Sequence, residues 1–367
     1  MQCSASRAMT KSARSLPPSP KKTKNSSSKH MLNIRPLTTA DKQQAREIWE
    51  LRFHDSLSFI DWFFAERFSP ETSFCAEKDG RIISILHGCV MQLRVSGVIL
   101  PAMMISGVAT LPGYEGQGLM KRVLFALFEE CKRRNIPLAF HKPSHFSIYR
   151  AVGEFPCYDA LFHTRENEPD IPVVWDAMPD IQTLLRVYEL ATAHYSGCVV
   201  RSLSDMEKRM HDLTCDGTRF LLHQTGGIAD GYLFASVAED GLLYCEEALA
   251  TSQTGYAAMI ARLPKGSVVK LPPDVPLSGS LRPWGVMIPV DVPRLLRALC
   301  GKADVFRLEV IDGMMPWNTG VFDGAGNRTD KPATDTLSAG RLMQFLCGYL
   351  PFQEAFSQEI CNCADEY

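Results

Sequence analysis

The sequence predicts a mixed α/β chain of more than one domain. At 367 residues the chain exceeds what one ordinary hydrophobic core organises. Its 46% hydrophobic and 22% charged residues are an average globular composition, so the chain is expected to fold. Segments of alternating apolar residues are interleaved with segments whose apolar residues recur every three or four positions, the periods of strand and helix.

Residues 1–30 carry Lys, Arg, Ser and Pro with almost nothing to bury and read as a disordered leader, with the fold starting at Met31. No apolar region follows the basic residues, which argues against a secretory signal. No run approaches the 18 apolar residues of a membrane span. Residues 31–37 alternate like an edge strand. A Thr-capped helical pattern follows, with Ala45, Ile48 and Trp49 on one face, and a second one ends before Pro70.

Residues 74–77, 82–94 and 102–111 are the strands of a meander, joined by Lys-Asp-Gly and Ser-Gly turns where hairpins need positive φ. Residues 119–134 carry Leu119, Val123, Leu124, Leu127, Phe128 and Cys131 on one helical face. Asn135 is a plausible stop, and residues 136–141 form a short buried strand. A short helix and another strand complete a first domain, 31–165. A Pro-rich linker opens a second domain, 166–280, whose helix (184–195) and strands (219–224, 231–238, 242–246) repeat a weaker version of the same order. The third domain, 281–367, opens at "LRPWGVMIPVDVPRLLRALCG".

The formal net charge of −2 provides no basic field for nucleic acid or an anionic membrane, so neither is expected as a partner. The basic stretch "KSARSLPPSPKKTK" lacks aromatic residues and is a weak nucleic-acid signal. Twelve cysteines are scattered through apolar runs, as in a reduced cytoplasmic protein. Cys361 and Cys363 are spaced C-x-C with no second pair, and no H-E-x-x-H occurs, so no metal site is expected. His141, His145 and His163 read as structural or cofactor-contacting. The absence of G-x-S-x-G removes the α/β-hydrolase option.

The stretch "SGVATLPGYEGQGLMKRVLFALFEE" places a strand, a glycine loop and a helix start in succession. Unpaired backbone N–H groups at the positive end of a helix dipole form an anion cradle, and pyrophosphate is its usual occupant. The spacing G-x-x-G-x-G is wrong for a dinucleotide fingerprint, and the Gly-Lys-Ser/Thr ending of a P-loop is missing.

V-A-T-x-P-x-Y-x-G-x-G-L-M after a meander and before a helix resembles the acetyl-CoA motif of the GNAT acetyltransferases, and implies a GNAT fold over the first domain. The resemblance implies that the strand edge at Val108, Ala109 and Thr110 pairs with the pantetheine arm. It also implies that the amides of Gly116, Gln117, Gly118, Leu119, Met120 and Lys121 hold the pyrophosphate. Two positions depart from the family pattern. Glu115 stands where an Arg is usual, and Met120 where a small residue is. Lys121 and Arg122 are the expected offset to the Glu115 charge.

"IPLAFHKPSHFSIYRAVGEFPCYD" is similar to a segment of the Eis-like acetyltransferases, which combine a GNAT domain, a degenerate GNAT-like domain and a C-terminal sterol-carrier-protein-like domain. The resemblance covers 31–367, and "MPWNTGVFDG" is similar to a Pro-Trp-Asn hairpin of the last domain. It implies that Tyr149 is the general acid toward the leaving thiolate and that Ser144 and His145 touch CoA. The α-carboxylate of Tyr367 is then the base, and Glu366 attracts a cationic substrate. The N–H of Val108 is the candidate donor to the developing oxyanion. Asp55 and Trp62 lie on the helices that cover the substrate mouth in this fold. Trp62 reads more readily as core, and Asp55 also reads as a helix cap.

The expected function is therefore N-acetyl transfer from acetyl-CoA to the primary amine of a small molecule or peptide, directly in a ternary complex and without metal. The resemblance also implies a homo-oligomer, with a hexamer as one form. The alternative is a binding protein whose sterol-carrier-like domain holds an apolar ligand beside a spent acetyltransferase scaffold.

Overall fold

Tight turns organise the first sheet. Asp79 and Gly80, and again Ser96 and Gly97, take positive φ (53° and 78°, 45° and 76°), the backbone of two-residue hairpin turns whose twist matches the flanking strands. The computed structural model describes residues 32–150, 152–169, 172–215, 217–238, 241–303 and 305–351. The leader and the terminal residues Glu366 and Tyr367, together with Cys361 and Cys363, lie outside the described residues.

The first stretch runs β1 (Leu32–Pro36), α1 (Lys42–Arg52), α2 (Leu57–Glu66), β2 (Phe74–Lys78), β3 (Arg81–Val95) and β4 (Val98–Thr110). It continues with α3 (Leu119–Arg133), β5 (Leu138–His141), α4 (Phe146–Arg150) and β6 (Pro156–Thr164). The second comprises α5 (Ile181–Thr192), β7 (Cys198–Val199), α6 (Leu203–Thr214), β8 (Arg219–Thr225), β9 (Ile228–Val237), β10 (Leu243–Ala250), α7 (Gln253–Ala261) and β11 (Val268–Leu271). The last holds β12 (Ser280–Pro289), α8 (Val292–Leu299), β13 (Arg307–Ile311), β14 (Gly320–Asp323), β15 (Asp335–Ser338) and α9 (Ala339–Leu346).

α6 escapes the apolar periodicity because its buried face mixes Met206, Met210 and Leu213 with Arg209 and Asp212. Those charges are tolerated inside because they are paired. Arg201 binds Glu247 through two bonds of 2.9 Å, Arg209 reaches Glu247 at 3.1 Å and Asp212 at 2.5 Å, and the Tyr232 hydroxyl donates to Glu247 at 2.7 Å.

Among the described residues, twelve strands form one sheet in the order β1-β2-β3-β4-β5-β12-β6-β11-β10-β9-β8, with β7 paired to β3. β12, the first strand of the third sequence segment, is inserted between β5 and β6 and is antiparallel to both. Alternation along β4 sends Met103 and Ile105 into the core under α1–α3 and Ala102 and Met104 into the core under α8 and α9. With both faces covered, β4 reads as a continuous apolar run.

The C-terminal sheet, β14-β13-β15, packs with α8 and α9 around Leu295, Leu296, Leu308, Phe322, Leu342 and Met343. The Pro316-Trp317-Asn318 turn ties this part to the central sheet. Asn318 accepts from Val292 N–H at 3.0 Å and donates to Pro289 O at 2.8 Å, while the Trp317 indole donates to Val290 O at 2.8 Å. Trp317 also packs on Phe125 of α3, with ring centroids 5.6 Å apart.

Candidate active site

β4 and β5 run parallel but pair only from Ala102↔Leu138 to Met104↔Phe140. Beyond Met104, β4 continues to Thr110 against β3 alone, so its other edge carries no strand partner among the described residues. β5 turns instead to β12, with His141 opposite Val286. The loop carrying Ser144 and His145, both exposed, leaves the sheet where the two strands part and leads into α4.

β4 bulges beside this opening. Ile85 pairs Ala109 and His87 pairs Ser106, so Gly107 and Val108 share the single opposing residue Leu86. Gly107 has φ +57°, and a Cβ there would lie 2.1 Å from Cζ3 of Trp49. Only glycine fits such a position without strain. Trp49 is fixed from its other side, since its indole N–H donates to Asp55 Oδ2 at 2.7 Å. The bulge leaves Val108 without a register partner in β3, as a backbone donor aimed at a substrate requires. Ala109 is buried, while Val108 and Thr110 are half-buried.

After β4, Gly113, Gly116 and Gly118 take φ of 85°, 72° and 71°, each with open space where a side chain would stand. Gly118 starts α3 with no side-chain cap, and the first helical bond is Arg122 N–H to Gly118 O at 3.2 Å. The amides of Leu119, Met120 and Lys121 therefore lack helical partners and sit at the positive end of a 15-residue helix. Gly116, Gln117, Gly118 and Lys121 are exposed. The Glu115 carboxylate accepts from Gly113 N–H at 2.7 Å. Its own backbone amide, followed by that of Gly113, holds it below the usual carboxylate range. The cation paired with it is Arg52 of α1, at 3.2 Å, rather than the expected Lys121 or Arg122.

Tyr149, on α4, is 7% exposed. Its ring meets that of His141 edge-on, centroids 4.5 Å apart, and His141 Nε2 is bonded to Glu154 Oε2 at 2.7 Å. Burial, then the Glu154 charge, raises the phenol well above its ordinary value.

α2 is capped by Ser56, whose Oγ accepts from Phe59 N–H at 3.0 Å, so Asp55 is not the cap. It is exposed and tied to Trp49. Trp62 is 5% exposed and packs in the core beside Phe59, centroids 5.6 Å apart. His163 is bonded to Ser278 O. Among the described residues no group of His, Cys, Asp and Glu is arranged to hold a metal ion, and the described cysteines are free thiols. Nor is any described helix long and apolar enough to cross a membrane.

Sequence reasoning missed Trp49 as the residue seated on the bulge, Arg52 as the partner of Glu115, and Glu154. Only Arg52 had a signal, a cation at the end of a helix covering the motif. Residues 33–155 match the profile of the acetyltransferase (GNAT) domain. The whole chain is similar in fold to a probable N-acyltransferase of Enterococcus faecalis V583, with a TM-score of 0.73 at 15% identity over 92% of this chain and 100% of that one. It is similar to Eis1 of Mycobacterium abscessus, with a TM-score of 0.71 at 16% identity over 92% and 100%. A GCN5-related N-acetyltransferase of Kribbella flavida gives a TM-score of 0.69 at 17% identity over 92% and 99%. No curated protein matches the sequence.

Proposed function

We propose that the chain transfers the acetyl group of acetyl-CoA directly to a primary amine within a ternary complex. The observation that carries this reading is the conjunction of a bare β4 edge, a bulge at Gly107-Val108 and an uncapped α3 behind three open glycines. A thioester bearing a diphosphate fits those features, with the amides from Gly116 to Lys121 around the diphosphate and Val108–Thr110 along the pantetheine arm. Acetyl-CoA supplies an activated acyl carbon and a good leaving group.

The chain's own residues supply the rest. The Val108 N–H faces the carbonyl oxygen as charge grows on it. Tyr149 places its hydroxyl at the sulfur. The α-carboxylate of Tyr367 takes a proton from the bound ammonium, directly or through water, so that the free amine attacks, and Glu366 attracts the cation. In this proposal the first domain binds CoA, the second scaffolds it, and the third, sterol-carrier-like, delivers its terminus within a homo-oligomer. Aminoglycosides, polyamines, lysine side chains and peptide N-termini all present the required ammonium, and pocket shape selects among them.

A second reading, a binding protein with a spent acetyltransferase scaffold, is favoured by one observation: the Glu115 carboxylate lies on the loop amides. A calorimetric titration with acetyl-CoA and CoA, followed by an amine panel read through free thiol, separates the two. Binding and amine-dependent thiol release support the transferase, and no binding with either nucleotide refutes it.

A further inference from the structure

We infer that the buried His141–Glu154 pair is the positioning element for Tyr149, fixing the orientation of the phenol and keeping its proton in place where the thiolate leaves. The inference rests on the acetyl-transfer reading and names a part of that site. Its basis is geometric. His141 and Glu154 are each 4% exposed, and their 2.7 Å bond requires one proton between two groups the core has shut off from water. The imidazole, held on that side, presents its ring to the Tyr149 ring at 4.5 Å in an edge-on arrangement, which aromatic rings prefer to a face-to-face stack.

The second oxygen of Glu154 makes no hydrogen bond among the described residues although it is enclosed. Glu154, with Asp312, Gly153 and Gly340, lines a cleft of about 20 Å³ between α3, β12 and the C-terminal part, room for one water. A half-satisfied buried carboxylate is a poor device for stability. Its charge has two nearby objects instead. It raises the Tyr149 phenol, after burial itself, and adds to the upward push on the Cys157 thiol of β6. Asp312 is the other acidic residue among those lining the cleft, its carboxylate accepting from Met314 N–H, Met315 N–H and the Asn318 amide, and Arg150 on α4 is exposed.

The chemical consequence is specific. A phenol raised above its ordinary value by burial and the Glu154 charge stays protonated at neutral pH and is a weaker acid than the thiol that leaves. Tyr149 therefore donates a hydrogen bond to the charged sulfur and keeps its proton. The C–N bond forms first and pushes the carbonyl electron pair onto the oxygen held by Val108 N–H; as that pair returns the C–S bond breaks, its electrons remain on sulfur, and the proton of the amine departs through the base. Glu154 and His141 touch no reacting atom and act through Tyr149.

The test uses the full chain with fluorotyrosine incorporated at position 149, its ionisation followed by fluorine NMR, alongside kcat and KM against pH for the parent, Glu154→Gln, Tyr149→Phe and the double variant. Glu154→Gln is expected to lower the ionisation midpoint by about one pH unit or more, since it removes the nearby like charge. It is also expected to change kcat on the Tyr149 background while leaving kcat of the Tyr149→Phe chain and the KM for acetyl-CoA unaltered. An unmoved midpoint, or an equal loss of kcat in both backgrounds, overturns the inference. Should Glu154→Gln fail to fold, Glu154→Asp retracts the charge, and a midpoint below the parent's supports the inference while an unmoved one overturns it. If the parent shows no turnover with any amine, the proposed function falls. The midpoint, read without ligand, still decides whether Glu154 governs the phenol.

Discussion

Replacing Gly107 by Ala tests whether the β4 bulge is held by contact with Trp49. The new methyl must adopt φ +57°, a left-handed conformation that costs a residue with a Cβ roughly 1–2 kcal/mol. It must also displace an indole that is 2% exposed and anchored to Asp55 at 2.7 Å; overpacking of this kind costs typically about 1–3 kcal/mol. The sum, about 2–5 kcal/mol, corresponds to a fall in Tm of about 3–6 °C for a chain of this length unfolding as one unit. Gly113→Ala is the matched control. Its φ is 85°, but the space around it is open, so it carries the conformational cost of roughly 1–2 kcal/mol alone. Thermal melts of the two variants isolate the Trp49 contribution as their difference, and acetyl transfer by Gly107→Ala should fall further because Val108 is re-aimed. If the two variants melt together, Trp49 yields freely and the bulge is not fixed by it.

Glu115→Gln removes the anion lying on the loop amides and frees Arg52; acetyl-CoA is expected to bind several-fold tighter by calorimetry at low salt, and equal affinity would show that the carboxylate swings away without cost. His87, fully enclosed, is pushed down by burial from 6.5 to about 3. The unfolded chain therefore binds a proton that the folded chain refuses, and stability present above pH 6.5 is lost on acidification toward pH 3. Between pH 7 and 5 the loss is about 2 kcal/mol in urea unfolding, and His87→Phe should flatten that slope, an unchanged slope being the contrary result. Appending a few residues after Tyr367 should cut kcat by orders of magnitude with acetyl-CoA affinity intact, whereas a tag on the leader should be harmless. Normal kcat in the extended chain would remove the terminal carboxylate from the mechanism.

The sequence disclosed the local parts of this architecture most fully. The turns at Asp79-Gly80 and Ser96-Gly97, the one-sided apolar face of α3 and the glycine loop before it are each written within a dozen residues, where spacing alone constrains the backbone. Gly107 was legible only as one residue of a strand, because its reason for being glycine is Trp49, from another element. Tyr149 came from a motif, but Glu154 and His141 are joined by folding rather than by spacing. The insertion of β12 between β5 and β6 had no local signal at all. A short apolar strand carries no record of which neighbours it will choose, and that choice rests on contacts across more than a hundred residues of chain.

The late arrival of β12 bears on how such a chain is made. A ribosome emits β5 and β6 long before Ser280–Pro289 exists, so through much of synthesis the nascent sheet has two raw hydrogen-bonding margins facing each other across an empty slot. Exposed ladders of that kind recruit foreign strands. The stretch 33–155, lifted out by itself, keeps that flank of β5 open, and excision is expected to give aggregates rather than a miniature enzyme.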